Sequence, residues 1–262
     1  MNLKNKLLKS VSKKILKKNE IFKNKELGKK CFIFGNGNSL KYYDFSKFKF
    51  DTTIGCNSLF FHNDFNKLDC KYYFIPAPYI FSPIRKFYNK YYINYLSNLY
   101  KNKIQLNNKT NFFLNLSDII FIRGKNIYYS YHFNSKNSHD LSQEFSYLDS
   151  SLSAMMGLAI FLGFKEVTLV GCDYLFNPYI NGHFFEKGKG EIIKNKINLP
   201  EFINKNFSNK VKINVMAPKG FDTYFNTIYY EDFFNSNLYW RDNNYLIKND
   251  ILSKLNKLFY KT

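Results

Sequence analysis

The sequence predicts an α/β protein built on one Rossmann-like, mostly parallel sheet flanked by helices, with a lid segment and a basic amphipathic helix at each end. Two observations carry this. Three short apolar runs, residues 31–35, 52–56 and 71–75, each end in a turn rich in Gly, Asn, Ser or Pro. That is the rhythm of parallel strands with loops at their carboxyl ends. Further on, a serine-led apolar helix runs through a glycine into a fourth such run, which is half of a βαβ unit. With 262 residues and 45% hydrophobic content, the chain can bury one large domain or a domain with appendages.

Residues 1–29 read as a leader. Leu3, Leu7, Leu8, Val11, Ile15 and Leu16 recur at helical spacing among lysines. The leader lacks the continuous apolar run and cleavage site of a secretory signal. Residues 30–240 read as the main domain. The run Cys31–Phe34 drives into Gly35-Asn36-Gly37-Asn38-Ser39-Leu40, and the second run ends at Asn57-Ser58. The third ends at Pro76-Ala77-Pro78. A helical beat covers 83–104, residues 107–117 read as loop, and 118–124 reads as a strand. Ser150 or Ser151 caps a helix that Gly163 stops, and the strand 167–170 then ends in Gly171-Cys172-Asp173-Tyr174. A polar segment at about 176–208 reads as the lid. The strand 211–218 and a short helix at 227–234 follow. Residues 241–262 carry Leu246, Ile247, Ile251, Leu252, Leu255, Leu258 and Phe259 among lysines, a second basic amphipathic helix.

The formal charge is +19, and residues 1–30 hold eleven lysines against Glu20 and Glu26. Such a field favours acidic partners, and a basic amphipathic helix suits an anionic membrane surface. No apolar run reaches the roughly 18 residues of a membrane-spanning helix. The four cysteines, Cys31, Cys56, Cys70 and Cys172, form no Cys-x-x-Cys pair. They read as buried reduced thiols of a cytoplasmic protein. The four histidines share no zinc-ligand spacing with them, so no metal site is expected.

In open α/β sheets, ligands sit outside the carboxyl ends of the strands. The polar residues at that address are Asn36, Gly37, Ser39, Asn57, Ser58, Asp173 and Tyr174, with Ser150 and Ser151 at a helix start. Such a set suits nucleotide binding through amides, hydroxyls and backbone. The turn is neither a Walker A loop nor Gly-x-Gly-x-x-Gly, because Leu40 stands where the third glycine belongs. The chain has no Asp-x-Asp pair of the kind that holds a cation on a nucleotide diphosphate. His183, inside the lid, is the candidate general base, with His62, His132 and His139 less well placed.

The stretches IFGNGNSL, IGCNSLFF, the Ser-Ser helix into LGFKEVTLVGCDYLF, and VKINVMAP stand in the order found in bacterial lipooligosaccharide sialyltransferases. Over residues 30–235 the chain resembles that family. INVMAPKGFDTYFNTIYYEDFF is similar to a related family, the motility-associated-factor and 6-hydroxymethylpterin pyrophosphokinase-like proteins. The resemblance implies a GT-A-like single Rossmann design and metal-independent, inverting transfer from a CMP-sugar donor, with no further cofactor. It implies that Asn36, with Gly37 and Ser39, meets the donor's phosphate or ribose and that Asn57 contacts the nucleotide. Ser151 with Ser150 would meet the donor sugar or its carboxylate, and Gly171, Asp173 and Tyr174 would frame the cytidine. His183 would be the base, and Tyr174 and Tyr179 would assist the departing phosphate. Pro76-Ala77-Pro78 and Leu148 stand where the family places an asparagine and an arginine, which points to a related nonulosonate or CMP-Kdo donor.

The expected partners are a CMP-sugar, a glycan or lipid-linked glycan acceptor and an anionic membrane surface, with a homo-oligomer admissible. The expected location is the inner face of the cytoplasmic membrane. Two alternatives stand beside this. A pterin or nucleotide pyrophosphokinase would need clustered carboxylates, which the strand ends lack. A basic nucleic-acid- or membrane-binding protein without catalysis would show an RNA-binding signature or basic residues along a sheet face. The lysines gather at the termini instead, so nucleic acid is not expected as a partner.

Overall fold

The computed structural model describes residues 3–49, 51–82, 90–131, 138–147, 150–194 and 198–259. Eight parallel strands form the central sheet. They are β1 (Lys30–Phe34), β2 (Thr53–Cys56), β3 (Cys70–Ile75), β4 (Asn111–Asn115), β5 (Ile127–Ser130), β6 (Glu166–Val170), β7 (Lys212–Ala217) and β8 (Asn226–Tyr229). Their spatial order is β8-β7-β6-β1-β2-β3-β4-β5. The chain walks outward from β1 to β5, then returns to lay β6 against the other side of β1. That reversal is a topological switch point, the place where open α/β sheets bind ligands. The predicted α/β class with a mostly parallel sheet is therefore present.

Alternation along each strand builds two cores. Phe32 and Phe34, Tyr73 and Ile75, and Phe112 and Leu114 enter one; Cys31 and Ile33, Tyr72 and Phe74, and Phe113 enter the other. With both faces covered, the strands read as near-continuous apolar runs. The helices are α1 (Leu3–Leu16), α2 (Lys90–Leu106), α3 (Ser151–Leu162), α4 (Leu199–Phe207), α5 (Tyr230–Phe234), α6 (Asn243–Leu246) and α7 (Asn249–Phe259). Helices α2, α5, α6 and α7 contribute to the first core, and α3 and α4 to the second. All four cysteines are buried and unpaired.

Residues 16–29 are built into this unit. Leu16 joins one core, and Phe22 joins the other after the chain rounds the β5 edge. There Asn19 donates to Tyr129 O and Leu141 O at 2.8 and 2.7 Å, which satisfies part of an edge-strand backbone. The N–H groups of Asn24, Glu26 and Gly28 donate to Phe161 O, Leu162 O and Gly163 O at 3.0, 2.8 and 2.9 Å. These are carbonyls at the end of α3, which have no partner within the helix. Ser150 caps the other end, its Oγ accepting from Ser153 N, and Gly163 closes α3 at φ 87°.

Four expectations differ from the structure. Residues 111–115, read as loop, are the buried strand β4: Asn111 and Asn115 flank its apolar centre and donate to Lys71 O and Pro76 O. Residues 118–124, read as a strand, form turns, because Asp118 is buried and accepts from Phe81 N. The segment 227–234 starts as β8 before it becomes α5. The segment 176–208 is more than a lid: it holds a hairpin, Tyr179–Asn181 against Glu191–Ile193, and then α4, whose Ile203 and Phe207 are core residues. The start of the helix expected at 83–104 lies outside the described residues up to Lys90.

Glu26 ties the first residues to the sheet. Its carboxylate is 1% exposed and accepts from Lys71 Nζ, from Tyr72 OH at 2.7 Å and from Lys29 Nζ at 2.9 Å. Burial alone would raise its pKa, but these donors outweigh burial and hold it at about 2, against an ordinary 4.5. A carboxylate depressed by folding contributes stability that is present above its unfolded pKa and lost as pH falls through the folded one. Glu26→Gln is expected to cost about 2–3 kcal/mol near neutral pH. Urea midpoints measured across pH should show the gap between wild type and variant closing between about pH 4.5 and 2.

Candidate functional site

At the switch point the turns after β1 and β6 lock together. Gly35 N donates to Val170 O and Gly37 N to Gly171 O, both at 2.8 Å. A Cβ on Gly35 would lie 2.3 Å from Gly171 O, and one on Gly37 would lie 2.5 Å from the Asp173 carboxylate. Asp173 is 1% exposed and accepts from Ser39 N at 2.7 Å and Ser39 Oγ at 2.5 Å. Burial pushes its pKa up to about 6, against the pull of those two donors. So Gly37, Ser39, Gly171 and Asp173 meet one another. Ser39 and Asp173 are buried and bonded to each other, and the glycines allow the close approach of the two turns.

The brace presents Asn36 at the rim. Its Nδ2 donates to Cys56 O at 3.3 Å and approaches Cys56 Sγ at 3.4 Å. Its buried Oδ1 makes no hydrogen bond among the described residues. An acceptor left so is uncommon and suits a donor brought by a ligand. Asn57 follows directly at the end of β2 with φ 47°, a left-handed conformation that asparagine tolerates. Its Nδ2 donates to Ser151 Oγ at 2.6 Å, so the start of α3 adjoins the same rim. Ser150 Oγ is used for the cap. The structure thus brings Asn36, Asn57 and Ser151 together across three elements.

The loop 182–190 supplies the rest. Gly37 and His183 form an isolated antiparallel bridge, and Phe184 N donates to Asn36 O at 3.0 Å. The His183 ring stacks on Phe185, with centroids 4.8 Å apart. Its Nδ1 lies 2.8 Å from Glu186 Oε1. A carboxylate only accepts, so Nδ1 carries the proton in this pair and Nε2 is left as the basic nitrogen. Tyr174 OH donates to Asn181 Oδ1 at 3.0 Å, and its ring lies 5.8 Å from that of Tyr179. Tyr179 therefore opens the hairpin strand that leads to His183, and Tyr174, in the turn after β6, is tied to that strand.

The other histidines are placed differently. His62 is buried against Phe45, and burial pushes its pKa down to about 3. Burial likewise lowers His139 to about 4. His132, like Leu148, lies outside the described residues.

Sequence reasoning missed what holds this loop. Lys41 is 0% exposed, and its Nζ donates to Glu186 O at 2.5 Å and to Gly188 O, with Asp242 Oδ1 3.8 Å away. Burial lowers its pKa, opposed by the Asp242, Glu186 and Asp173 carboxylates. Asn38 Nδ2 donates to Asn181 O, Asp242 Oδ1 accepts from Gly188 N, and Asn243 Nδ2 donates to Phe185 O. Trp240, in the same late segment, lies under Lys189 Nζ at 5.7 Å. Only Glu186 carried a local signal, three residues after His183; the other ties span up to 147 residues of chain. Among the described residues, no group of three or more His, Cys, Asp or Glu could hold a metal ion.

No family model matches the chain, and no curated protein matches it. Among solved structures similar to it is the sialyltransferase CstII from Campylobacter jejuni in complex with a substrate analogue, cytidine-5'-monophosphate. Identity is 20%, with 88% of this chain and 98% of that chain covered and a TM-score of 0.43. Another is the sialyltransferase CstII in complex with a trisaccharide acceptor and CMP, at 20% identity, 87% and 99% coverage and a TM-score of 0.42.

The brace yields a direct expectation. Gly37→Ala drives a methyl group into the Asp173 carboxylate and should cost about 1–3 kcal/mol, read as a lowered urea midpoint. A variant as stable as wild type would mean that the carboxylate steps aside freely.

Proposed function

We propose that the protein is a glycosyltransferase that moves sialic acid or a related nonulosonate from a CMP-sugar to a surface-glycan acceptor, without metal and with inversion. The observation that carries this reading is the convergence at the switch point. A polar rim of Asn36, Asn57 and Ser151 meets a His183–Glu186 pair held over the end of β1. The motif resemblance supports the same reading and supplies the donor class.

In this mechanism the unpaired Asn36 Oδ1 takes a ribose hydroxyl, and the start of α3 with Ser151 faces the anionic part of the donor. His183 Nε2 removes the acceptor hydroxyl proton as that oxygen attacks the anomeric carbon. Glu186 holds the ring and stabilises the imidazolium that forms. The bond to the CMP oxygen breaks on the opposite face, and Tyr174 and Tyr179 donate toward the leaving phosphate. CMP is a good leaving group and needs little acid help. The charge of +19 supports work at an anionic membrane surface, on its cytoplasmic side, next to a lipid-linked acceptor.

CMP release from CMP-N-acetylneuraminic acid in the presence of EDTA tests the proposal, with CMP-Kdo run in parallel. Wild type should release CMP from at least one donor, and His183→Ala should lose about 10²–10⁴-fold. Glu186→Gln should show a smaller loss. Silence on both donors overturns the function, whereas equal rates in wild type and His183→Ala remove only the base.

A further inference from the structure

The structure narrows where a membrane surface would meet the protein. The C-terminal amphipathic helix is largely committed elsewhere: Leu246 and Ile247 are buried, and Ile251 and Leu252 of α7 pack on the first core. Around α1 and the turn after β4, Ile15 and Ile119 also pack in part on that core, but their neighbours leave apolar surface open. Val11 of α1 is 50% exposed, and Ile120, on the turn after β4, is 71% exposed. Between α1 and the β5 edge lies a cleft of about 350 Å³, within the size range of small-ligand sites. Its walls include Ile15, Ile119 and Ile127, and its charged lining residues are Lys18 and Arg123. Lys14, Lys17 and Lys125 are exposed nearby in sequence. Asn19 fastens the inner wall through its two hydrogen bonds across the β5 edge.

We propose that this cleft seats the headgroup and upper chain of an anionic bilayer lipid, so that the protein lies on the membrane with the α1–β5 edge down. Val11 and Ile15 stand one helical turn apart, and Lys14 and Lys18 repeat at the same interval beside them. A helix so patterned lies in the interface with its aliphatic side chains in the acyl boundary and its lysines at headgroup level. The cleft continues the aliphatic surface inward and places two cations where a lipid phosphate would sit. Charge decides the occupant: an apolar groove rimmed by Lys18 and Arg123, with Lys14 and Lys17 exposed next to Lys18 in the chain, matches an anionic amphiphile better than a neutral one. This inference rests on the membrane placement proposed above and is independent of the transfer chemistry.

Flotation of the full chain with vesicles tests it, using phosphatidylcholine alone and phosphatidylcholine containing phosphatidylglycerol. The variants are Lys18→Glu/Arg123→Glu, Val11→Ser/Ile120→Ser, and a control, Lys47→Glu/Lys205→Glu, with the same change in charge at exposed sites elsewhere. All four positions changed to Glu are exposed, and circular dichroism with urea unfolding confirms that each variant folds. Wild type should float with the anionic vesicles and less so as salt rises. The cleft pair should lower binding by about tenfold or more, and the control pair clearly less. The Ser pair should weaken binding at every salt concentration. Equal losses in the cleft and control pairs overturn the seat and leave only diffuse charge attraction. Wild type that ignores anionic vesicles overturns the membrane placement itself. Inorganic phosphate that displaces the protein, where chloride of the same ionic strength does not, makes this a free-phosphate site and also overturns the proposal.

Discussion

The close approach of two strand ends is the constraint on which the candidate site depends. β1 and β6 are neighbours in space but 136 residues apart in the chain at Phe34 and Val170, with register kept along their length. Their turns meet at a distance that only glycine permits, and the meeting is fastened by a buried carboxylate. An acid in that position is costly to ionise, as the elevated Asp173 pKa records. Two donors from a single residue, Ser39, offset part of that cost. In return Asn36 is held at the rim, and its carbonyl is presented to the loop that carries His183.

A second layer of restraint acts on that loop. It has no regular structure between its two short strands, yet it is tied to the turn after β1 and to the segment before α6. Lys41 supplies two of these ties from a fully buried position, accepting the desolvation of an ammonium for two carbonyl partners and a nearby carboxylate. A side-chain pair on an irregular loop keeps a fixed geometry only through contacts of this kind.

The fold class was legible because strand–turn rhythm and the α3–β6 unit are local signals. Strand β4 escaped because asparagines flank its apolar centre, and composition reads as loop although those amides serve neighbouring carbonyls. Asn36, Asn57 and Ser151 were legible as candidates, since the switch-point rule addresses strand ends. The brace that Gly37, Ser39, Gly171 and Asp173 form was not, because it joins turns more than 130 residues apart in the chain. Lys41 was the least legible of all: one lysine among many, distinguished only by contacts far along the chain.

Trp240 adds something of a different kind. It is the chain's single tryptophan, and the ammonium of Lys189, on the loop that carries His183 and Glu186, stands 5.7 Å from its ring. An indole's excited state carries a larger dipole than its ground state, so a nearby positive charge shifts the colour of its emission. The unmodified protein therefore has a built-in optical gauge of the posture of this loop, with no second indole to dilute the signal.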